Sequence, residues 1–183
     1  MTTQTTALRS SPVAIRAFGA VGFAAAVAAA SQIAIPLPFT PVPITLQPML
    51  VILAGMMLGP VAGASSMMLY LAAGAAGLPV FTPMGAPGIA RLLGPTGGYL
   101  LAYPAAAYVA GAIALRSSQF ALRATAAIAG IAVIYVGGLA QLSVLNLSIT
   151  RAIQLGVTPF AALDLVKAFV AAAITGARPR SER

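Results

Sequence analysis

The 183-residue chain contains no cysteine and no histidine. Disulfides, thiolate chemistry and imidazole bases are therefore excluded, together with the usual protein ligands of zinc and haem. The acidic residues are Asp164 and Glu182, and Glu182 lies in a polar C-terminal tail. One carboxylate inside the apolar part of the chain cannot form the dyad of an aspartyl protease. These absences exclude most enzyme mechanisms, and we expect neither a metal nor a cofactor.

Charge of either sign is also scarce. Charged residues make up 7% of the chain and hydrophobic residues 60%, against about 25% and about 45–50% in an average soluble domain. Because this small number of charges cannot cover the surface of a soluble fold, the chain must be surrounded by lipid. The net charge of +8 does not indicate nucleic-acid binding, because the basic residues are spread along the chain. The composition predicts an all-α integral membrane protein.

Six apolar segments are predicted to cross the membrane as one helical bundle. They cover residues 13–35, 47–58, 61–76, 96–115, 124–147 and 160–174. The second and third look short for a full crossing and are predicted to be two abutting helices or one broken element. Gly55, Gly59 and Gly63 stand four apart and indicate close helix approach. Without a long-period repeat, the chain is predicted to form one membrane domain over 1–183, with a bundle at 13–176 between tails at 1–12 and 177–183.

The first apolar segment permits a second interpretation. Its alanine-rich stretch at 24–30 resembles the core of a signal peptide, with a small-residue cleavage site before Ser31. The segment is nevertheless long enough to span a membrane. Its length favours a retained first helix.

The arginines predict the orientation of the bundle. If both termini are cytoplasmic, Arg91 and Arg151 lie outside, and the cytoplasmic segments carry Arg9, Arg16, Arg116, Arg123, Arg178, Arg180 and Arg183. This distribution satisfies the positive-inside rule, which an odd number of spans would violate. The proline-rich connectors at 36–43 and 78–95, and a polar connector at 148–159, are then external. Any pocket that they cover opens outward.

Two charges in the sixth segment are the strongest candidates for a binding site. Asp164 and Lys167 stand one helical turn apart on the same face and can pair. Ionisable residues cost about 2.5–3.5 kcal/mol each in a bilayer on insertion scales, so they are functional candidates by default. A structural ion pair that holds the bundle together is the alternative. A neutral pair would do that at a lower desolvation cost, which favours function.

Three further residues are candidates for the pocket. Arg91 has no acidic neighbour in the sequence and can hold a carboxylate or phosphate, or else face lipid headgroups. Gln47 follows the first connector and is a candidate ligand or a helix cap. Tyr99 offers a ring and a hydroxyl. The glycine-rich residues 94–98 lack the lysine and the preceding strand of a phosphate loop, so they do not indicate a nucleotide site. With no ATPase motif, the chain is predicted to be a binding subunit.

Three separated motifs resemble the BioY family of biotin transporter substrate-binding components. They are residues 41–47 (PVPITLQ), 92–100 (LLGPTGGYL) and 164–167 (DLVK). The resemblance implies a six-helix S component of an energy-coupling factor (ECF) transporter in the cytoplasmic (inner) membrane. Such a component binds biotin from outside and is served by a transmembrane coupling protein and cytoplasmic ATPases.

The resemblance also implies roles for individual residues. Asp164 and Lys167 match the family's charged pair, and Arg91 matches the basic residue before the glycine-rich motif. Asp164 is suited to accept from a ureido N–H group and Lys167 to donate to the ureido carbonyl, while Arg91 or the same lysine holds the carboxylate. The family's contact with the coupling protein is implied for the first helix, at Ala24, Ala25, Ala28 and Ala29. An amide contact expected within 78–87 finds no Asn or Gln there.

Two alternatives remain open at this point. An S component for another small vitamin would use a similar charged pair in an apolar pocket. A non-transporting membrane scaffold protein would use the glycine and alanine faces to bind other helices, and it would show no saturable ligand binding.

Overall fold

The computed structural model describes residues 12–145 and 148–176. Along these residues the chain forms α1 (Pro12–Gln32), β1 (Ile35–Leu37), β2 (Thr40–Ile44), α2 (Gln47–Leu58), α3 (Pro60–Ala75), α4 (Ile89–Leu93), α5 (Gly97–Ala114), α6 (Phe120–Val144), α7 (Ile149–Gly156) and α8 (Ala161–Gly176). The predicted helical character of the chain is confirmed. Arg9 and the arginines of the C-terminal tail lie outside the described residues.

Three of the described helices are long and apolar enough to cross a membrane. They are the segments Ala14–Gln32, Gly97–Ala114 and Phe120–Val144. A fourth span results if α7 and α8, which meet at a bend of 57°, are counted together. The 12 residues of α2 and the 16 of α3 extend about 18 Å and about 24 Å at 1.5 Å per residue. Both are shorter than a hydrocarbon core of about 30 Å.

A sharp turn at Gly59 separates α2 from α3. Gly59 has a φ of 88°, which favours glycine, and Pro60 begins α3 because a first helical position needs no amide hydrogen. A Cβ on Gly63 would lie 2.6 Å from the Cα of Gly55, so α3 folds back against α2. The short segments are therefore two abutting helices, and Gly55 and Gly63 provide the predicted close approach.

The core of the bundle lies between α1, α2, α3, α5 and α6. Tyr70, Ile52, Met67 and Val27 are almost completely buried there. Large apolar side chains also cover the outer helix faces; Phe18, for example, is 77% exposed and Val144 is 75% exposed. A surface of this kind is stable in lipid, whereas contiguous apolar surface is rare on soluble monomers. The structure thus agrees with the conclusion drawn from composition.

The connector at 36–43 is a β-hairpin, which the all-α prediction did not include. Strand β1 pairs antiparallel with β2, with Ile35 opposite Ile44 and Leu37 opposite Thr40. Prolines usually disrupt a strand because they cannot donate a ladder hydrogen bond. Here Pro36, Pro41 and Pro43 alternate with residues that keep their amide hydrogens, so a two-stranded ladder still forms.

The other two connectors contain short helices. The segment at 78–95, predicted to be irregular, includes α4. The polar connector at 148–159 includes α7, whose N-terminus is capped by Ser148: the Ser148 hydroxyl accepts a hydrogen bond from the Arg151 amide at 3.3 Å. A serine before an amphipathic stretch is a standard helix start, so this helix was readable from the sequence.

All three connectors lie at one end of the bundle, which we call the connector end (residues 33–46, 76–96 and 148–160). The Thr40 hydroxyl donates to the Leu155 carbonyl at 2.6 Å, and the Gln141 amide donates to the Leu93 carbonyl at 3.1 Å. The opposite end, called the arginine end, holds Arg16, Arg116 and Arg123 at the far termini of α1, α5 and α6. The described arginines are therefore divided between the two ends, with Arg91 and Arg151 at the connector end.

Candidate functional site

A partly open cavity lies at the connector end, between the hairpin, α5, α6 and α8. The empty space between its walls, counted together with the open space at its mouth, is about 630 Å³. Apolar groups form much of the wall. The lining residues are Val42, Pro43, Ile44, Thr45, Gln47, Pro48, Thr82, Thr96, Tyr99, Leu100, Tyr103, Ile134, Tyr135, Phe160, Asp164 and Lys167.

The predicted charged pair forms one wall of this cavity. The Lys167 Nζ lies 2.7 Å from the Asp164 Oδ1, and each side chain is only 7% exposed. Asp164 lies in the first turn of α8, where the helix dipole favours a carboxylate. The pair has two further partners: Lys167 donates to the Thr45 carbonyl at 2.7 Å, and Tyr135 donates to the Asp164 Oδ2 at 2.6 Å. Such hydrogen bonds offset the desolvation cost of burying two charges.

The pair retains hydrogen-bonding capacity on the cavity side. A carboxylate accepts about four hydrogen bonds and an ammonium group donates three. Among the described residues, Asp164 accepts from two partners and Lys167 donates to two. An acceptor and a donor are thus left side by side in a mostly apolar cavity. A ligand that carries both an N–H group and a carbonyl oxygen matches this arrangement.

Gln47 lies at the base of the hairpin and lines the same cavity. It is 3% exposed, and its amide nitrogen donates to the Tyr70 hydroxyl at 2.7 Å. Thr45 donates to the Gln47 side-chain oxygen at 3.3 Å. Within the described part of the chain no side chain caps the start of α2, so the side chain of Gln47 does not act as a helix cap. It belongs to the polar network of the cavity.

Tyr99 also lines the cavity, as predicted, and two tyrosines that the sequence analysis did not single out accompany it. The Tyr99 hydroxyl donates to the Gly156 carbonyl at 2.9 Å and so connects α5 to α7. Tyr103 follows one turn later on α5, and Tyr135 projects from α6 onto Asp164. Tyr103 and Tyr135 each place a hydroxyl group in an otherwise apolar helix. This feature of the sequence could have identified them as candidate site residues.

Arg91 lies in a second cavity that adjoins the first. This cavity is lined by Pro36, Leu37, Thr40, Pro41, Pro43, Met84 and Arg91. Pro43 lines both cavities. Thr82 lines the first cavity, and its carbonyl accepts a hydrogen bond from the Arg91 Nη2 at 2.5 Å. The structure therefore places Arg91 next to the charged pair's cavity rather than in its wall.

Burial and an unused donor characterise Arg91. The residue is 8% exposed, so it does not face lipid headgroups. Its Nε is buried without a hydrogen-bond partner among the described residues. Burial lowers the pKa of the Arg91 guanidinium below its usual range, yet arginine stays charged at neutral pH. A buried cation with a free donor is suited to an anionic group.

The four alanines predicted to contact a partner do not share one environment. Ala24 is buried in the core, Ala28 is half-buried against it, and Ala25 and Ala29 are exposed. A helix turns by about 100° per residue, so positions 25 and 29 share a face that position 24 does not. The structure removes Ala24 from the accessible surface of α1 and leaves Ala25 and Ala29 on it.

Comparison with known proteins gives concordant matches. The profile of the BioY family matches residues 2–182. The "Biotin transporter BioY" of Thermotoga maritima is 39% identical over 140 residues, which are 76% of this chain and 82% of that protein. The "Probable biotin transporter BioY" of Pyrococcus horikoshii is 40% identical over 134 residues, 73% of this chain and 78% of that protein.

A solved structure agrees with these sequence matches. The crystal structure of the S-component for biotin from an ECF-type ABC transporter superposes with a TM-score of 0.83. It is 28% identical in sequence, and the alignment covers 93% of each chain. The likeness therefore extends over both the bundle and the connector end.

Proposed function

Because the chain belongs to the BioY family, we propose that it takes up biotin as the substrate-specific S component of an ECF-type ABC transporter. The observation that carries this proposal is the buried Asp164–Lys167 pair, which presents an acceptor and a donor to a mostly apolar cavity. The bicyclic ring of biotin is largely apolar, and its ureido group carries two N–H donors and one carbonyl acceptor. That chemistry is complementary to the pair.

The two adjoining cavities suggest how biotin lies in the site. The ureido group pairs with Asp164 through an N–H group and with Lys167 through its carbonyl. The valerate tail then runs past Pro43, which lines both cavities, so that its carboxylate meets Arg91. A carboxylate next to a guanidinium forms a strong, charge-assisted hydrogen bond. Gln47 and Tyr99 line the wall around the ring.

We further propose that six helices cross the cytoplasmic membrane, with both termini inside. Along the chain, α1, α2, α3, α5, α6 and α8 run alternately between the arginine end and the connector end. Contacts at the arginine end support this alternation: a Cβ on Gly19 of α1 would meet Leu58 of α2 at 2.7 Å, and a Cβ on Gly176 of α8 would meet Arg123 of α6 at 2.5 Å. The arginine end is cytoplasmic by the positive-inside rule.

The proposed partners are a transmembrane coupling protein and the cytoplasmic ATPases of an ECF module. The described chain offers a surface for the coupling protein on α1, where Ala25 and Ala29 are exposed. Small residues let two helices approach closely, which is the usual basis of helix association in lipid.

Equilibrium binding of labelled biotin to the purified chain in detergent or nanodiscs tests the function. We expect saturable binding with one site per chain and no competition from excess thiamine or riboflavin. Competition by another vitamin would identify an S component of different specificity. Absence of any saturable ligand would favour the scaffold alternative and overturn the proposal.

Cysteine labelling in whole cells tests the orientation, and the absence of native cysteine makes it clean. Single cysteines at Thr82 and Ser148, both at the connector end, should react with an impermeant thiol reagent, and one at Ser117, at the arginine end, should not. Biotin should protect position 82 more than 148, because Thr82 lines the cavity and Ser148 is exposed on α7. External labelling at 117 would overturn the topology. We propose that the 78–95 connector covers the bound ligand, and equal labelling at 82 with and without biotin would contradict this role.

A further inference from the structure

Tyr103 is a buried residue of the cavity wall, and the charged pair leaves its hydroxyl unused. Three tyrosines line the cavity, and two of them have internal acceptors: Tyr99 donates to Gly156 and Tyr135 donates to Asp164. The Tyr103 hydroxyl has no hydrogen-bond partner within residues 12–145 and 148–176. The residue is 3% exposed. An unpaired hydroxyl on a residue that lines the cavity is a candidate for contact with the ligand.

The position of Tyr103 is fixed by its neighbours. Its ring stacks on Tyr70 with centroids 6.3 Å apart and an interplanar angle of 27°. Tyr70 is in turn held by Gln47 through a 2.7 Å hydrogen bond and by an edge contact with Phe81. A side chain locked by stacking loses little conformational entropy when it binds a ligand. Tyr103 is therefore preorganised.

The hydroxyl lies near the charged pair rather than near Arg91. Tyr103 lines the cavity that contains Asp164 and Lys167 but not the one that contains Arg91. It therefore faces the end of the site to which the proposed function assigns the ureido group. A carbonyl oxygen has two lone pairs and accepts two donors, of which Lys167 supplies one.

We propose that the Tyr103 hydroxyl donates the second hydrogen bond to the ureido carbonyl of biotin and so determines specificity together with Asp164 and Lys167. This inference rests on the proposed function. A neutral donor at this place selects for an acceptor in the ligand, because an analogue without one leaves the buried hydroxyl unpaired.

The test is Tyr103→Phe, with Tyr108→Phe as the matched control. Both residues lie on α5, but Tyr108 is 50% exposed and does not line the cavity. Tyr103→Phe keeps the ring and its stacking and removes no internal hydrogen bond, so the melting temperature of the ligand-free protein should stay unchanged. The affinity for biotin should fall about 3- to 10-fold, as expected for loss of one neutral hydrogen bond, and Tyr108→Phe should have no effect.

Two analogues identify the ligand group that Tyr103 contacts. Dethiobiotin lacks the sulfur and biotin methyl ester lacks the charged carboxylate, but both keep the ureido group. The loss caused by Tyr103→Phe should be equal for biotin and for both analogues. A loss that disappears with the methyl ester would assign Tyr103 to the carboxylate and overturn the inference, as would unchanged biotin affinity. Failure of the parent chain to bind biotin would instead reject the proposed function, so the two outcomes are distinguishable.

Discussion

Replacing Asp164 by asparagine is expected to weaken biotin binding by about 2–5 kcal/mol, which is at least about thirtyfold in Kd, while the chain still inserts into the membrane. The carboxylate neutralises Lys167 at 2.7 Å and accepts from Tyr135 at 2.6 Å. The amide has the same shape but no charge, so the buried ammonium loses its counter-ion and the ligand loses a charge-assisted acceptor. Titration of labelled biotin into the purified variant measures the loss. Unchanged affinity would remove Asp164 from the site.

A double-mutant cycle with Lys167→Ala separates two roles for the pair. If Asp164 and Lys167 act as one unit, the double variant should lose no more affinity than either single variant. Additive losses would mean that each residue binds the ligand independently. Thr175→Val is the control on the same helix, since Thr175 is buried but bonds only to the Ala171 and Ala172 carbonyls. Its affinity for biotin should equal that of the parent.

The second large effect is expected from Gly55→Ala, which should destabilise the fold by about 1–3 kcal/mol or more. A Cβ at Gly55 would overlap the carbonyl oxygen of Ala107 on α5. That oxygen belongs to the backbone of a helix and cannot move alone, so α2 and α5 must separate. Thermal unfolding of the purified protein in detergent measures the change.

Gly22→Ala is the matched control for this prediction. Gly22 lies in α1, and a Cβ there has no neighbour within 4 Å. Alanine in a helix interior is favoured over glycine by about 0.5–1 kcal/mol, so this variant should melt at the same temperature or slightly higher. If Gly55→Ala behaved in the same way, α2 and α5 would not be in the close contact described above.

Local signals in the sequence were sufficient for the bundle and for the charged pair. Gly59 and Pro60 ended one helix and began the next, and the spacing of Asp164 and Lys167 placed both on one face of α8. Such features depend on residues a few positions apart. They can therefore be read without knowledge of the tertiary structure.

Features that depend on distant residues could not be read in this way. The prolines of 36–43 indicated a helix break. The pairing of Ile35 with Ile44 depends on a reversal of chain direction that brings β2 back beside β1. Likewise, Tyr135 reaches Asp164 across 29 positions and Lys167 reaches Thr45 across 122. The division of Arg91 and the charged pair between two cavities follows from the position of the hairpin, which no local pattern encodes.

The prolines of the hairpin have a consequence for assembly. The pairing of β1 with β2 is irregular between Ile35 and Leu37, where one residue of β1 faces three residues of β2. Pro36 lies between Ile35 and Leu37, and Pro41 and Pro43 alternate with Thr40 and Ile44. Proline has no amide hydrogen, so these three residues cannot donate to a third strand. These prolines therefore reduce the number of backbone donors that the rim of the cavity offers to a second copy of the chain or to an extended peptide.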